Sequence, residues 1–474
     1  MKDYKREIED YIIEHKEEML NDIFELIKID SSYAEDDPKL PYGSGPDKAL
    51  EKVLAIAGNY GFKGVNYDHQ VAVIDLNDKP RFLDMPAHMD VVPAGEGWSV
   101  TRPFEPIIKD GYIYGRGSSD DKGPAMAALY AMRAVEDLGI PLTKNAKLIL
   151  GADEECGGED LDYYYDREGY PTWAFSPDGD FPVVNVEKGF FSGEFHIKDQ
   201  ERYAAKNCET DVICIRVGEA SNMIPGKAEA IIIGIGKEEL ASRLEKIKID
   251  GISLEVDQNQ DGSATLIVKG NGGHASEPER CSNALTALIK VLNEIQLPEC
   301  SWTIVGKTLE ELFPHGAWNG SALGVDMEDD ISGPLTMSLN MLEYSPGKLK
   351  GVFDSRIPLC ANRENLEEPV RRILCERGLE LSEDSTLSKP HHVPEDSELV
   401  QALLRSYSRA FGEPGHCKYS GGGSYLHGLK FGVVFGCEFA DDPTNMHGPD
   451  EHVKVDTLIN SAVAFALAIV ELCS

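Results

Sequence analysis

Positive charge is the scarcest commodity in this sequence. Lys and Arg together number 46 against 82 Asp and Glu, giving a formal charge of −36 over 474 residues. A surface of that sign repels phosphate backbones and anionic lipid, which argues against nucleic-acid and membrane partners. Long apolar runs are not expected either: no stretch approaches the ~18 apolar residues that a membrane span requires. The opening residues, Met1–Arg6, lead into a charged amphipathic pattern with no apolar signal core. The ten cysteines include no CxxC pair and no dense framework. Cys214, Cys360, Cys375 and Cys437 fall in apolar runs, where buried thiols are expected. Free cysteines in a reducing compartment, hence the cytoplasm, follow from that pattern. Internal repeats and low-complexity segments are absent too.

What is present is a globular balance, 42% hydrophobic and 27% charged. The chain is too long for one ordinary core, so two domains are expected. Residues 5–28 read as one helix with Ile12, Met19, Ile23 and Ile27 on its stripe, and Asp47–Asn59 as a second. Short apolar runs then follow at Val71–Leu76, Arg81–Ala87, Lys147–Gly151 and Trp173–Ser176, with a helix at Gly123–Leu138 between them. Strands alternating with helices predict an α/β fold: a mixed-sheet catalytic domain with helices on both faces. From about Gly189 the text becomes mostly strands, which predicts an inserted α+β domain. The expected division is 1–187 and 384–474 for the catalytic domain, with 188–383 as the insertion. A strand at Phe431–Phe439 and a last helix at Val455–Leu472 complete the pattern.

Five short segments end or follow these strands. Ala87-His88-Met89-Asp90 places His88 and Asp90 on one face of an extended chain, so Asp90 can hold the far ring nitrogen of a metal-bound His88. The bland alternative is a satisfied loop histidine. Gly115–Gly123 contains Asp120 and Asp121 just before a helix. One Asp suffices for an N-cap, which leaves the other as a candidate for bridging two metals. Asp153-Glu154-Glu155 follows an apolar strand. It is either an exposed turn or a set of carboxylates whose repulsion a divalent cation compensates. Pro177-Asp178-Gly179 and Asn445–His452, with His447, are each readable as ordinary turns. Together, two histidines and three carboxylates at strand ends make a mixed N/O donor set for Zn²⁺ or a similar ion. Metal-activated water needs a base that is not itself a ligand, and the adjacent Glu154 and Glu155 offer one of each.

The ordered set His88-x-Asp90, Gly115-Arg116-Gly117-x-x-Asp120-Asp121-Lys122-Gly123, Asp153-Glu154-Glu155, Ser176-Pro177-Asp178 and His447 resembles the aminoacylase/ArgE/DapE-type metallopeptidases. The likeness is greatest to the PepV-type dipeptidases and covers essentially the whole chain. It implies two divalent ions, zinc first, with manganese or cobalt as alternatives. His88 and Asp178 would bind one, Glu155 and His447 the other, and Asp120 both. Asp90 would orient His88, and Glu154 would be general base and then proton donor. The insertion would be the family's lid, with His274 stabilising the oxyanion. Asn222 and Arg356, together with Gly422, Gly423 and Ser424, would hold a small peptide substrate. His427 stands where many relatives carry Arg. The long lid implies a monomer. The implied activity is hydrolysis of dipeptides; N-acyl amino acid deacylation, or metal and peptide binding without catalysis, are the alternatives.

Overall fold

Strict alternation gives the first sheet two covered faces. In Val71–Asp75, Val71 and Val73 join one buried cluster while Ala72 and Ile74 join a larger one. In Asn145–Gly151, Ile149 faces the small cluster while Leu148 and Leu150 face the large one. Strands buried on both sides need helices on both sides. The computed structural model, which describes residues 2–474, has them. The helices Lys122–Asp137 and Val455–Cys473 pack together in the large cluster, joined by Ser44–Asn59 and Glu398–Phe411. Glu159–Glu168 covers the other face with Leu161, Tyr164 and Tyr165.

This sheet belongs to the first of two units, which comprises the chain up to Val186, His392–Lys418 and Gly423–Ser474. Its order includes Lys63–Tyr67, Val71–Asp75, Asn145–Gly151, Arg81–His88, Trp173–Ser176 and Gly432–Val434. The first two pairings are antiparallel and the remainder parallel, so the sheet is mixed. In the parallel part His88 stands opposite Gly151, and Ser176 opposite Val434. Four carboxyl ends therefore share one edge, the place where open α/β sheets build their sites.

The second unit is Glu187–His391 with Tyr419–Gly422. Its main sheet is antiparallel and runs from Ser253–Gln258 through Ala264–Lys269, Lys227–Ile233, Asp211–Val217, Thr336–Ser345 and Lys348–Ile357 to Gly189–Ile197. Buried and partly exposed residues alternate along Gly189–Ile197 and Ala264–Lys269, the pattern of a sheet covered on one face. Helices Ala284–Glu294 and Ser301–Leu312 share its core.

Several local expectations need correction. The single N-terminal helix is two, Lys5–Glu14 and Lys16–Ile27, because His15 leaves helical geometry at φ −97° and ψ 10°. Its Nδ1 lies 2.8 Å from the Tyr11 carbonyl, and its ring stacks on Tyr11. The strand expected over Phe431–Phe439 spans only Gly432–Val434. Beyond it Gly436 presses on the backbone of Pro177, where a Cβ would sit 2.2 Å from a carbonyl oxygen, and Cys437 takes φ +80°. A helix with the length and apolarity of a membrane span does exist: Val455–Cys473 has a mean hydropathy of 1.7. It is a core helix here, 83% of that window being buried. Cys360 and Cys375 are exposed rather than buried. Cys375 follows the inward-facing Leu374 on its helix and so turns outward, whereas Cys360 lies beyond the strand end in a turn.

Candidate metal centre

Each candidate ligand is delivered by a strand end or the loop behind it. His88 closes Arg81–His88 and is fully buried. Its Nε2 lies 2.8 Å from Asp120 Oδ1 and 3.7 Å from Asp178 Oδ2. The other ring nitrogen, Nδ1, is 3.1 Å from the Asp90 carbonyl and 3.4 Å from its carboxylate. His447 approaches from the opposite side, with Nε2 3.0 Å from Asp120 Oδ2 and 3.2 Å from Glu155 Oε2. Asp120 thus presents one carboxylate oxygen to each histidine. Ligand atoms of His88, Asp120 and Glu155 lie within 4.8 Å of one another, close enough for a shared ion.

The electrostatics show what these groups lack. Burial pushes Asp178 up to about 7 and raises Glu155; it holds Glu154 well above the usual carboxylate range. Asp120 moves the other way: burial opposes its charge, but hydrogen bonds from His447 and His88 prevail. Hydrogen bonds to Asp120 and Glu155 push His447 up to about 11. Glu155 Oε1 and Asp121 Oδ1 are buried with no hydrogen-bond partner. An orphaned Glu155 oxygen beside the His447 imidazole is an arrangement that a divalent cation relieves, and the mixed N/O donor set suits zinc and its neighbours.

The surrounding loops are held by the same carboxylates. Asp90 accepts the backbone N–H of Glu154 at 3.3 Å and of Glu155 at 3.0 Å, so it grips the acidic triplet as well as facing His88. Asp153 is a turn former. Its carbonyl accepts from Cys156, Gly157 and Gly158, and its carboxylate accepts the Glu159 N–H. Asp121 does not cap its helix through a side-chain hydrogen bond; its Oδ2 accepts the His88 N–H at 3.1 Å. The expected N-cap is therefore not made by either aspartate.

Two acids that escaped the sequence reading complete the support. Glu451 is fully buried. It pairs with Arg116 at 2.6 Å and accepts backbone N–H groups of Gly117, Ser119 and Asp120 at 2.9 to 3.3 Å. The same Arg116 donates to the carbonyls of His447 and Gly448 at 3.2 Å. One ion pair thus ties the loop of Asp120 to that of His447. Glu438, pushed up to about 7 by burial, accepts from Ser119 Oγ at 2.7 Å and Thr444 Oγ1 at 2.8 Å. The signal for Glu451 was Gly-Arg-Gly, a cation locked between glycines in an acidic chain with no named partner. Glu438 left no comparable mark.

In the second unit, Met223–Ile224 and Gly273–His274 form a short antiparallel ribbon, and the Ala275 N–H donates to the Asn222 carbonyl at 2.8 Å. Asn222 and His274 are therefore neighbours. His274 Nδ1 accepts the Ser276 N–H at 3.2 Å, which assigns the proton of the neutral ring to Nε2. Arg356 is buried, and its guanidinium is engaged within the protein. Nε is 2.8 Å from Asp354 Oδ1, and Nη1 donates to the Gly421 carbonyl at 2.9 Å, next to Gly422. In the first unit, Gly423 and Ser424 start the turn Tyr425–Gly428, where Ser424 Oγ accepts the Leu426 N–H and its carbonyl accepts the N–H of His427.

Known proteins share both this sequence and this fold. The model of the Peptidase family M20/M25/M40 matches residues 85–471. A putative dipeptidase of Bacillus subtilis (strain 168), YtjP, is 32% identical over 464 residues, covering 97% of this chain and 98% of that protein. The Beta-Ala-Xaa dipeptidase of Lactobacillus delbrueckii subsp. lactis is 33% identical over 466 residues, with 96% of each chain covered. Among solved structures, human carnosine dipeptidase 1 matches with a TM-score of 0.60 at 15% identity, covering 99% of both chains. Dug1p of Saccharomyces cerevisiae gives 0.58 at 14% identity over 99% of this chain and 98% of its own. Strand-end motifs, their convergence on one sheet edge and full-length similarity agree: this chain belongs to the M20/M25/M40 peptidase family.

Proposed function

We propose that this protein is a dipeptidase working with two divalent metal ions, zinc first among the candidates. The observation that carries the reading is the Asp120 carboxylate, one oxygen toward His88 and the other toward His447. On this reading His88 and Asp178 hold one ion, His447 and Glu155 the other, and Asp120 both. The ions would supply Lewis acidity toward the scissile carbonyl and toward water. Glu154, not needed as a ligand, takes the proton of the attacking water. Burial raises its affinity for that proton, and it then passes it to the departing amine. Asp90 fixes the ring of His88 from behind. Residues 188–383 are assigned as the substrate-binding domain. There His274 donates Nε2–H to the developing oxyanion, and Asn222 and Arg356 line the peptide's binding surface, to which Gly422, Gly423 and Ser424 are also assigned. The names of the two bacterial relatives support the choice of dipeptides, and the ten unpaired cysteines support a cytoplasmic setting.

Metal analysis of the purified protein, with a panel of dipeptides and N-acetyl amino acids assayed before and after chelation, tests this directly. Hydrolysis of dipeptides that is lost on chelation and restored by Zn²⁺, Mn²⁺ or Co²⁺ is expected. Turnover of N-acetyl amino acids alone would make the protein a deacylase. Glu154→Gln is expected to lower kcat by ~10²–10⁴-fold, the usual contribution of a general base. An unaltered rate would remove Glu154 from the mechanism.

A further inference from the structure

A cavity of about 250 Å³ opens beside Glu154, entirely within the first unit. Sites that enclose a whole small ligand measure ~300–1,000 Å³, so this one suits a single side chain. Gly423 and Ser424 form another part of its wall. The proposed mechanism gives a direction to that pairing. Glu154 protonates the departing amine, and Gly423 and Ser424 belong to the proposed binding surface of the peptide. That amine belongs to the C-terminal residue of a dipeptide, so the side chain reaching a cavity beside Glu154 is that residue's own.

The walls select by chemistry. Leu161 and Tyr165 sit four residues apart on the helix Glu159–Glu168 and line one side. Tyr170 stacks on Tyr165, with ring centroids 5.3 Å apart and planes at 13°. Tyr425 and Leu429 line the cavity from the later chain segment. Two of the three phenol oxygens are engaged within the protein: Tyr425 donates to Asp160 at 2.7 Å and Tyr165 to Asp84 at 3.2 Å. Their rings are left as apolar surface. Charge in the lining is negative, from Glu154 and the exposed Asp162.

We propose that this cavity is the specificity pocket for the C-terminal side chain of the dipeptide, favouring large aromatic or aliphatic residues over acidic ones. The inference rests on the dipeptidase reading. Its test uses the metal-loaded full chain and the kcat/KM values for Ala-Phe, Ala-Leu, Ala-Gly and Ala-Asp. The wild-type protein should prefer Ala-Phe to Ala-Asp by at least about tenfold. Asp162→Trp, placed at an exposed position so that folding is not at risk, projects bulk into the cavity. It should lower the Ala-Phe to Ala-Gly ratio by about tenfold or more. Tyr170→Ala, also at an exposed position, removes one ring and should lower the same ratio by about two- to tenfold. Ratios that stay constant in both variants, whether the rates fall together or not at all, overturn the pocket while leaving the dipeptidase intact. Hydrolysis of no dipeptide by the wild-type protein removes the underlying reading, and the pocket with it.

Discussion

At the scale of single residues, Glu451 is the most informative side chain outside the ligand set. Its carboxylate meets Arg116 and three backbone N–H groups, so its loss would leave a buried guanidinium unpaired and free the loop of Asp120. Breaking a buried pair by removing one partner costs about 3–5 kcal/mol. Glu451→Ala should lose stability of that order in chemical denaturation. Because Arg116 also fixes the backbone of His447, the same variant should bind Zn²⁺ about 10–100-fold more weakly by calorimetric titration, the usual cost of disturbing the groups behind a metal ligand. A stability loss with undiminished metal affinity would show that the pair serves the fold alone. The residue also marks a limit of sequence reading. His88, Asp120, Glu155, Asp178 and His447 were recognisable because each carried a motif at a predicted strand end. Glu451 stands four positions after the predicted ligand His447, among acids that in so negative a chain mostly face water. Its burial follows from packing between two distant loops, which no local spacing reveals.

Elements explain why the motifs meet. The parallel strands Asn145–Gly151, Arg81–His88, Trp173–Ser176 and Gly432–Val434 end at one edge, and behind them lies Val455–Cys473. Phe465 of that helix packs on Phe175, Phe435 and Phe181, with centroids 5.5, 5.8 and 6.2 Å away. Phe175 immediately precedes Ser176 and the turn carrying Asp178, so the helix braces a site strand from beneath. Phe465→Ala should therefore destabilise the protein by about 3–5 kcal/mol, as measured by denaturant unfolding. A loss below about 1 kcal/mol would mean that the aromatic cluster repacks around the gap. Strands marked out as short runs of apolar residues were legible in advance: Asp211–Val217, Ser253–Gln258 and Trp173–Ser176 begin and end where those runs do. Thr336–Ser345 was not, because its first five residues are all buried and show no alternation. Glu159–Glu168 hid behind its composition, since acids and tyrosines fill it and only four of its ten residues face inward. Its inward face is the short stripe of Leu161, Tyr164 and Tyr165, and tertiary packing of that stripe stabilises the helix.

At the scale of the whole molecule, the charge of −36 has two parts that salt separates. Most acids lie on the surface, and at about 0.15 M salt, where the Debye length is ~8 Å, their mutual repulsion is largely screened. The acids around Asp120 are buried and keep their repulsion. In the metal-free protein this sets a definite pH dependence. Asp178, pushed up to about 7, and His447, pushed up to about 11, both bind protons more tightly than in the unfolded chain. Groups raised in the folded state contribute stability that is present below their unfolded values and is lost as pH rises through the folded ones. The metal-free protein should therefore lose stability as pH climbs from about 4 to 7 with Asp178, and from about 6.5 upward with His447. On the proposed ligand assignment metal binding requires both groups deprotonated, so the ions would replace those protons and affinity should rise over the same range. Melting temperatures of the metal-loaded and chelated forms, measured across pH 6 to 9 at about 0.15 M salt, should diverge as pH increases. Titration calorimetry in buffers of different ionisation enthalpy should show protons released on binding. A constant gap between the two melting curves, or no proton release, would mean that the ions do not enter this cluster and that the ligand assignment around Asp120 is wrong.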